Sequence, residues 1–403
     1  MNPIPYGKQH INAEDIEAVV EVLRATNLTQ GPKIPEFEQA FANYIGVKYA
    51  LAVSNGTAAL HICSLALDVK PGQKVITTPI TFVASANCVR FCGGEVVFSD
   101  IDPETFLLDV KKVRTLLESS PKGTYSGIIA VDFAGKAINL QEFRALAEEF
   151  GLWIIEDACH APGGFFIDSN GVEQRCGNGE YADLAIFSFH PVKHIACGEG
   201  GMITTNSKDL YEKLLRFRSH GIIKDDEKYL NSIEVATGAM ASQTVDNYPA
   251  WYMEMQELGY NYRLTDFQAA LGISQLKRAN EGLERRHEIA KYYDKAFENH
   301  PKIRSQLNQL QLGPSGHAFH LYVINAENRL ELFNHLRKNQ IFAQIHYIPA
   351  HLMPYYKRFG WKYGDLPEAE EYYSSCLSLP IYPTLTDEEQ RFVIDKIETF
   401  YES

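Results

Sequence analysis

Lys193 is the residue of this chain best placed for covalent chemistry. It stands between two short apolar, β-prone runs, 184–189 and 202–205, which read as neighbouring strands. A lysine drawn partly out of water loses its preference for the ammonium form and becomes a usable amine, as a Schiff-base lysine requires. Gly198, Gly200 and Gly201 surround Glu199 and would let the backbone take left-handed angles and approach a ligand closely. The competing reading is an ordinary surface lysine on a hairpin, so partners from elsewhere must decide.

Three other places offer chemistry. Ser54-Asn55-Gly56-Thr57 joins a β-prone run to apolar residues at helical spacing, and free N–H groups at such a helix start can hold an anion. The same residues also suit a plain N-cap, and no GK[ST] follows that would make a Walker loop. Asp157 closes the hydrophobic run 152–155, so its carboxylate is expected at a strand end, partly buried and in need of a cation or donors. His160 follows three residues later and either faces the same pocket or fills a core gap. His190 and His194 have the i, i+4 spacing of a zinc site, but Pro191 interrupts the helix that such a site needs. Asp157, Cys159 and His160 lack further ligands, and no metal is expected.

These residues need a scaffold that gathers them. Val/Ile-rich runs alternate with amphipathic segments from residue 51 to 161, which predicts an α/β fold with a mainly parallel sheet covered on both faces. Ligands bind beyond the carboxyl ends of such strands, where Thr81-Phe82, Asp132-Phe133, Asp157 and Ser188 fall. Helices are expected over 13–25, 35–44, 109–117, 140–151, 283–297, 330–338 and 387–400, and one follows Thr265 as N-cap to 276. Residues 224–250 lack periodicity and read as a long surface loop. Runs 320–326 and 344–350 read as strands of a smaller α+β domain, giving a large domain over 1–255 and a C-terminal one over 256–403.

Composition narrows the function classes. Thirty-eight basic residues stand against 51 acidic ones, a formal net charge of -13, which argues against nucleic acid or an anionic membrane as partner. No apolar run is long enough to span a bilayer and the first residues do not read as a signal peptide, so a cytoplasmic protein is expected. The seven cysteines are scattered without CxxC spacing and read as reduced packing residues.

Read together, NLTQG (27–31), SNGTAAL (54–60), TTPITFVASAN (77–87), EDACHAPG (156–163), FSFHPVKHIACGEGG (187–201), FRSHG (217–221) and GYNYRLTDFQAALGISQL (259–276) resemble the DegT/DnrJ/EryC1/StrS nucleotide-sugar aminotransferases. The resemblance runs nearly end to end. It implies pyridoxal 5'-phosphate as cofactor, on the fold type I (aspartate aminotransferase-like) scaffold. It also implies roles: Lys193 as the Schiff-base and proton-shuttling residue, Asp157 on the pyridine nitrogen, Phe82 stacked on the ring and His160 near the phenolic oxygen. Gly56, Thr57 and Ser188 would hold the phosphate. Asn261 and Arg263 would reach it from the second subunit of a homodimer.

Within the family, LTQG, SFHPVK, VDFAGK (131–136) and QIHYIP (344–349) look most like the pseudaminic acid branch. That implies a UDP-linked 4-keto-6-deoxy-N-acetylhexosamine as acceptor and glutamate as donor, released as 2-oxoglutarate. Bacillosamine-, legionaminic- and perosamine-type sugars remain alternatives, and so does a non-catalytic sensor or scaffold on the same fold. The family's dehydratases carry histidine in place of the lysine, whereas Lys193 is present. Cys197 stands where the resemblance leads one to expect threonine, and the 224–250 segment is longer than expected.

Overall fold

The alternating pattern closes into a single seven-stranded sheet in the computed structural model, which describes residues 3–238, 246–305 and 316–402. In chain order its strands are β1 (Tyr49–Val53), β2 (Lys74–Thr77), β3 (Glu95–Phe98), β4 (Tyr125–Val131), β5 (Trp153–Asp157), β6 (Leu184–Ser188) and β7 (Gly201–Thr205). Their spatial order is β1-β7-β6-β5-β4-β2-β3. All neighbours are parallel except β7, which runs antiparallel to both β1 and β6. Strands β4 to β7 are buried almost throughout, as expected of a sheet covered on both faces.

Helix starts are chemically marked. Asn12 and Asp15 form a reciprocal capping box at Ala13–Arg24, with both bonds at 2.9 Å. Asp109 caps Val110–Glu118, and Asn55 caps Gly56–Ala66. The second helix, Lys33–Ile45, begins earlier than its apolar periodicity suggests, because Asp266 accepts from the Gly31 and Lys33 amides at 2.8 and 3.0 Å. That carboxylate, fully buried, ties the NLTQG turn to the helix Asp266–Leu276.

Two hydrophobic cores result. The first fills both faces of the large sheet, from Ile34 to Cys376 in sequence. The second joins Ile4, the helix Ala279–Phe297, the helix Asp387–Glu402 and an antiparallel sheet of β8 (Ile303–Ser305), β9 (Tyr322–Ala326) and β10 (Cys376–Leu379). The packing does not follow a division at residue 256. Helix Asp266–Leu276 lies against the first two helices of the chain, while Ile4 sits in the second core, its strand paired with Ile341–Phe342. We propose that the domain boundary falls within Ala279–Phe297, with the first residues crossing to the smaller unit.

Two expected elements differ. Residues 344–350 are not a continuous strand, and the backbone there pairs with β10 only through Gln344 and Ser378. The segment 224–250, expected as a loop, is organised where it is described. Ile222–Ile223 pairs with Glu254–Met255, a short helix spans Ile233–Thr237, and residues 239–245 lie outside the described residues. Buried Glu254 closes the excursion by accepting from the Leu230 and Asn231 amides, the Tyr252 hydroxyl and the Gln256 amide at 2.7 to 3.0 Å. The bonds from the Leu230 and Asn231 amides span 24 and 23 residues, which local periodicity cannot register. Among the described residues no helix is long and apolar enough to cross a membrane, and all seven cysteines are free.

Candidate active site

The carboxyl ends of β5 and β6, the start of helix Gly56–Ala66 and the loop between β6 and β7 surround a cavity of about 730 Å³. Gly56, Thr57, Phe82, Asp157, His160, Ser188 and Lys193 all line it. Residues separated by well over a hundred positions therefore share one wall, as the strand-end rule for open α/β sheets requires.

Lys193 sits in a loop pinched at its base, where Phe189 N–H donates to Gly200 O at 2.8 Å and Cys197 N–H to Phe189 O at 2.9 Å. Of the three nearby glycines only Gly198 is left-handed, at φ 80°. Gly201 is needed for a different reason: a Cβ there would lie 2.7 Å from the Asn55 carbonyl carbon, so β7 can approach the helix start only without a side chain. Lys193 is half-buried and its Nζ faces His320 Nε2 at 3.4 Å. Burial holds the amine below the usual lysine range, Cys159 and Asp157 oppose this, and Arg286 reinforces it. The surface-lysine reading is thereby removed.

Asp157 ends β5 and is 6% exposed. Its Oδ2 accepts from Ser85 Oγ at 2.6 Å and its Oδ1 from the Cys159 amide at 3.2 Å. His160 Nδ1 accepts from the Ala134 amide at 3.2 Å, which places the proton of the neutral ring on Nε2. That nitrogen lies 3.3 Å from the Tyr347 hydroxyl. Burial, and then the neighbouring Lys193, push the imidazole well below its ordinary value, so it stays neutral at physiological pH.

Asn55 Oδ1 accepts from the Ala58 amide at 2.8 Å and leaves the Gly56 and Thr57 amides without an acceptor among the described residues. A Cβ at Gly56 would stand 3.1 Å from Ser188 Cβ and 3.5 Å from Cys159 Sγ. The cradle is thus shaped around a bare backbone, with two free donors, the Ser188 hydroxyl and the positive end of the helix dipole. Phe82, 59% exposed, presents a ring to the cavity opposite Tyr347. A flat, anionic, ring-nitrogen cofactor fits these groups: donors for a phosphate, an aromatic face, a carboxylate with remaining lone pairs and an amine of lowered basicity.

Asn261 and Arg263 do not line this cavity; the residue between them does. Tyr262 hydrogen-bonds His61 Nδ1 through its hydroxyl at 3.0 Å, and its carbonyl accepts from Ser54 at 2.8 Å. Asn261 is exposed, and Arg263 keeps a buried Nε without a partner. Asp132, expected at the rim, instead turns inward to Glu156 and Cys176, the three having ligand atoms within 4.8 Å of one another. His194 donates to or accepts nothing in the cavity; its Nε2 binds Ala318 O at 2.7 Å. Cys197 packs at 3% exposure against Gly272. Sequence reasoning missed Ser85, His320 and Tyr347. Ser85 and Tyr347 lie in segments already recognised by resemblance, but His320 carries no spacing signal at all.

The family model for the DegT/DnrJ/EryC1/StrS aminotransferase family matches residues 9–398. The chain belongs to that family. It is 36% identical over 403 residues to the UDP-4-amino-4,6-dideoxy-N-acetyl-beta-L-altrosamine transaminase of Campylobacter jejuni, covering 99% of this chain and 98% of the relative. Among solved structures it is similar to PseC of Helicobacter pylori, an aminotransferase involved in the biosynthesis of pseudoaminic acid, with 30% identity, a TM-score of 0.86 and 100% coverage of both chains. The PLP-form of the putative sugar aminotransferase Spr1654 from Streptococcus pneumoniae is 26% identical with a TM-score of 0.83 over 99% of each chain. This DegT/DnrJ/EryC1/StrS member is a pyridoxal phosphate-dependent sugar aminotransferase with a mainly parallel sheet flanked by helices.

Proposed function

We propose that the chain transfers the amino group of glutamate to the 4-keto carbon of a UDP-linked 6-deoxy-N-acetylhexosamine, forming UDP-4-amino-4,6-dideoxy-N-acetyl-β-L-altrosamine. The observation that carries this reading is the half-buried Lys193 amine facing a cavity that holds an aromatic ring, a strand-end aspartate and two free helix-start amides. The Campylobacter and Helicobacter relatives support the sugar.

Pyridoxal phosphate, when bound, supplies an aldehyde carbon that carries nitrogen and a ring that withdraws electrons from the carbon losing its proton. Asp157, oriented by Ser85, would hold a proton on the ring nitrogen. Gly56, Thr57 and Ser188 would bind the phosphate, Phe82 would cover one ring face, and His160 would donate from Nε2 to the phenolic oxygen. Lys193 would anchor the group through its amine and would move the proton at the carbon gaining or losing nitrogen. Burial lowers its basicity, which favours the free amine that such proton transfer needs. Asn261 and Arg263, outside the chain's own cavity, would complete the phosphate site of a second copy. The assembly would then be a homodimer with shared sites.

The test is to supply full-length protein with cofactor, glutamate and a panel of UDP-linked 4-keto sugars, measuring 2-oxoglutarate and amino-sugar product by mass spectrometry, with Lys193→Ala as control. Product from the 6-deoxy-4-keto-N-acetylaltrosamine precursor alone supports the proposal. Product only from a bacillosamine-, legionaminic- or perosamine-type sugar overturns the sugar assignment and keeps the reaction.

A further inference from the structure

Arg286, on the helix Ala279–Phe297, is 1% exposed and, among the described residues, has no carboxylate acting on it. Its Nη1 donates to the main-chain carbonyls of Phe319 and Ile381, each at 3.0 Å, and to that of His320 at 3.4 Å. Its Nε has no partner. A buried cation is ordinarily matched by an anion, because carbonyl dipoles solvate a charge without cancelling it. Burial lowers this guanidinium only to about 10, so it remains charged at neutral pH.

The same stretch of backbone leads to the reacting amine. His320 is held at its carbonyl by Arg286 and presents its ring to Lys193 Nζ at 3.4 Å. We propose that Arg286 is a positioning residue for Lys193: its uncompensated charge disfavours a second cation at Nζ, and its bonds to the 319–320 backbone aim the His320 ring at the amine. This rests on the role assigned to Lys193 above, but not on the identity of the sugar.

The surroundings of Lys193 leave that part to Arg286. From the end of β5 come Asp157 and Cys159, which favour the ammonium form, and neutral His160. From the lysine's own loop comes His194, from the segment after Ile341–Phe342 come His346 and Tyr347, and from the segment before β9 comes His320. Those histidines are all depressed by burial and carry no charge at neutral pH. Glu199 also lines the cavity. Among the described groups acting on Nζ, Arg286 is the fixed positive charge that opposes the two anion-forming ones. It acts through protein interior, where screening by salt is weak.

The experiment reads Lys193 in the cofactor-free, full-length protein. Trace acetylation with acetic anhydride across pH, followed by peptide mass spectrometry, yields the ionisation midpoint of each lysine, with exposed Lys8 as internal reference. In the wild type, Lys193 is expected to titrate clearly below the ordinary value of about 10.4. Arg286→Met, which keeps the volume and removes the charge, is expected to raise that midpoint, and Arg286→Lys to leave it near wild type. A wild-type midpoint at the reference value overturns the proposal without any variant, which covers the case where Arg286→Met does not fold. An Arg286→Met midpoint equal to wild type overturns it equally, since loss of packing alone leaves no reason for a shift to follow the charge. Transamination by the wild type can hold in either event, so the two readings fail separately.

Discussion

The Ser85 hydroxyl lies 2.6 Å from Asp157 Oδ2, a buried hydrogen bond between residues 72 positions apart. Asp157 thereby arrives at the cavity already oriented, with one oxygen bound by Ser85 and the other by the Cys159 amide. Ser85→Ala leaves the carboxylate free to rotate and one lone pair unpaired. A hydrogen bond to a charged group is worth about 1.5–3 kcal/mol, so the Kd for pyridoxal phosphate is expected to rise roughly tenfold or more. Titration of the cofactor absorbance measures this. An unchanged Kd would show that Asp157 needs no such support.

Gly56→Ala places a methyl group 3.1 Å from Ser188 Cβ, inside the cradle formed with the free Gly56 and Thr57 amides. Overpacking of this kind costs about 1–3 kcal/mol and here falls on the anion-binding geometry. The expected result is weaker binding of both inorganic phosphate and cofactor by calorimetry. If only thermal stability fell and phosphate binding were intact, the helix start would not be the anion site.

Phe82 separates stability from binding, since its ring is largely exposed. Phe82→Ala should alter unfolding free energy by no more than about 0.5 kcal/mol. Cofactor affinity should fall by the worth of one aromatic contact, about 0.5–1.5 kcal/mol. Urea unfolding without cofactor and a binding titration together check the split, which a loss of stability matching the loss of affinity would contradict.

Asp132 and Glu156 share a buried site, and burial raises Asp132 to about 7 and Glu156 well above its ordinary value. Protons are therefore bound in the folded state that the unfolded chain has released, so this pair removes stability as pH rises from about 4 toward 7. Buried His160, His194, His317 and His320 act in the opposite sense. Their folded values lie well below the ordinary one, so their contribution is present above pH ~6.5 and is lost as pH falls. Glu156→Gln can keep the bond from the Gly177 amide and donate to Asp132, standing in for the shared proton. Relative to wild type it should become more favourable by up to about 1.4 kcal/mol for each pH unit across that window. Urea unfolding at pH 5 and 7.5 tests the difference, and an equal effect at both values would mean that the pair does not titrate there.

Much of the local structure was legible because its causes are local. Apolar spacing along 13–25 and 140–151, the Asn55 turn before 56–66, and the β-prone runs flanking Lys193 each report a short-range preference that tertiary packing left in place. The placement of Gly56, Thr57, Phe82, Asp157, His160, Ser188 and Lys193 around one cavity was legible through the order of the motifs. The excursion after residue 224 was not, because the four donors on Glu254 come from residues whose sequence shows no period.

By itself the sequence determined the helix starts, the strand and helix alternation, and which residues could do amine, carboxylate and anion chemistry, since these depend on side-chain type and on neighbours a few positions away. Tertiary structure alone decided that Asp132 turns from the rim to Glu156, that His320 from the segment before β9 meets Lys193, and that Arg286 stands charged behind both. Those outcomes depend on distance and burial between segments far apart in the chain. Electrostatics acts through that distance, and no spacing along the sequence encodes it.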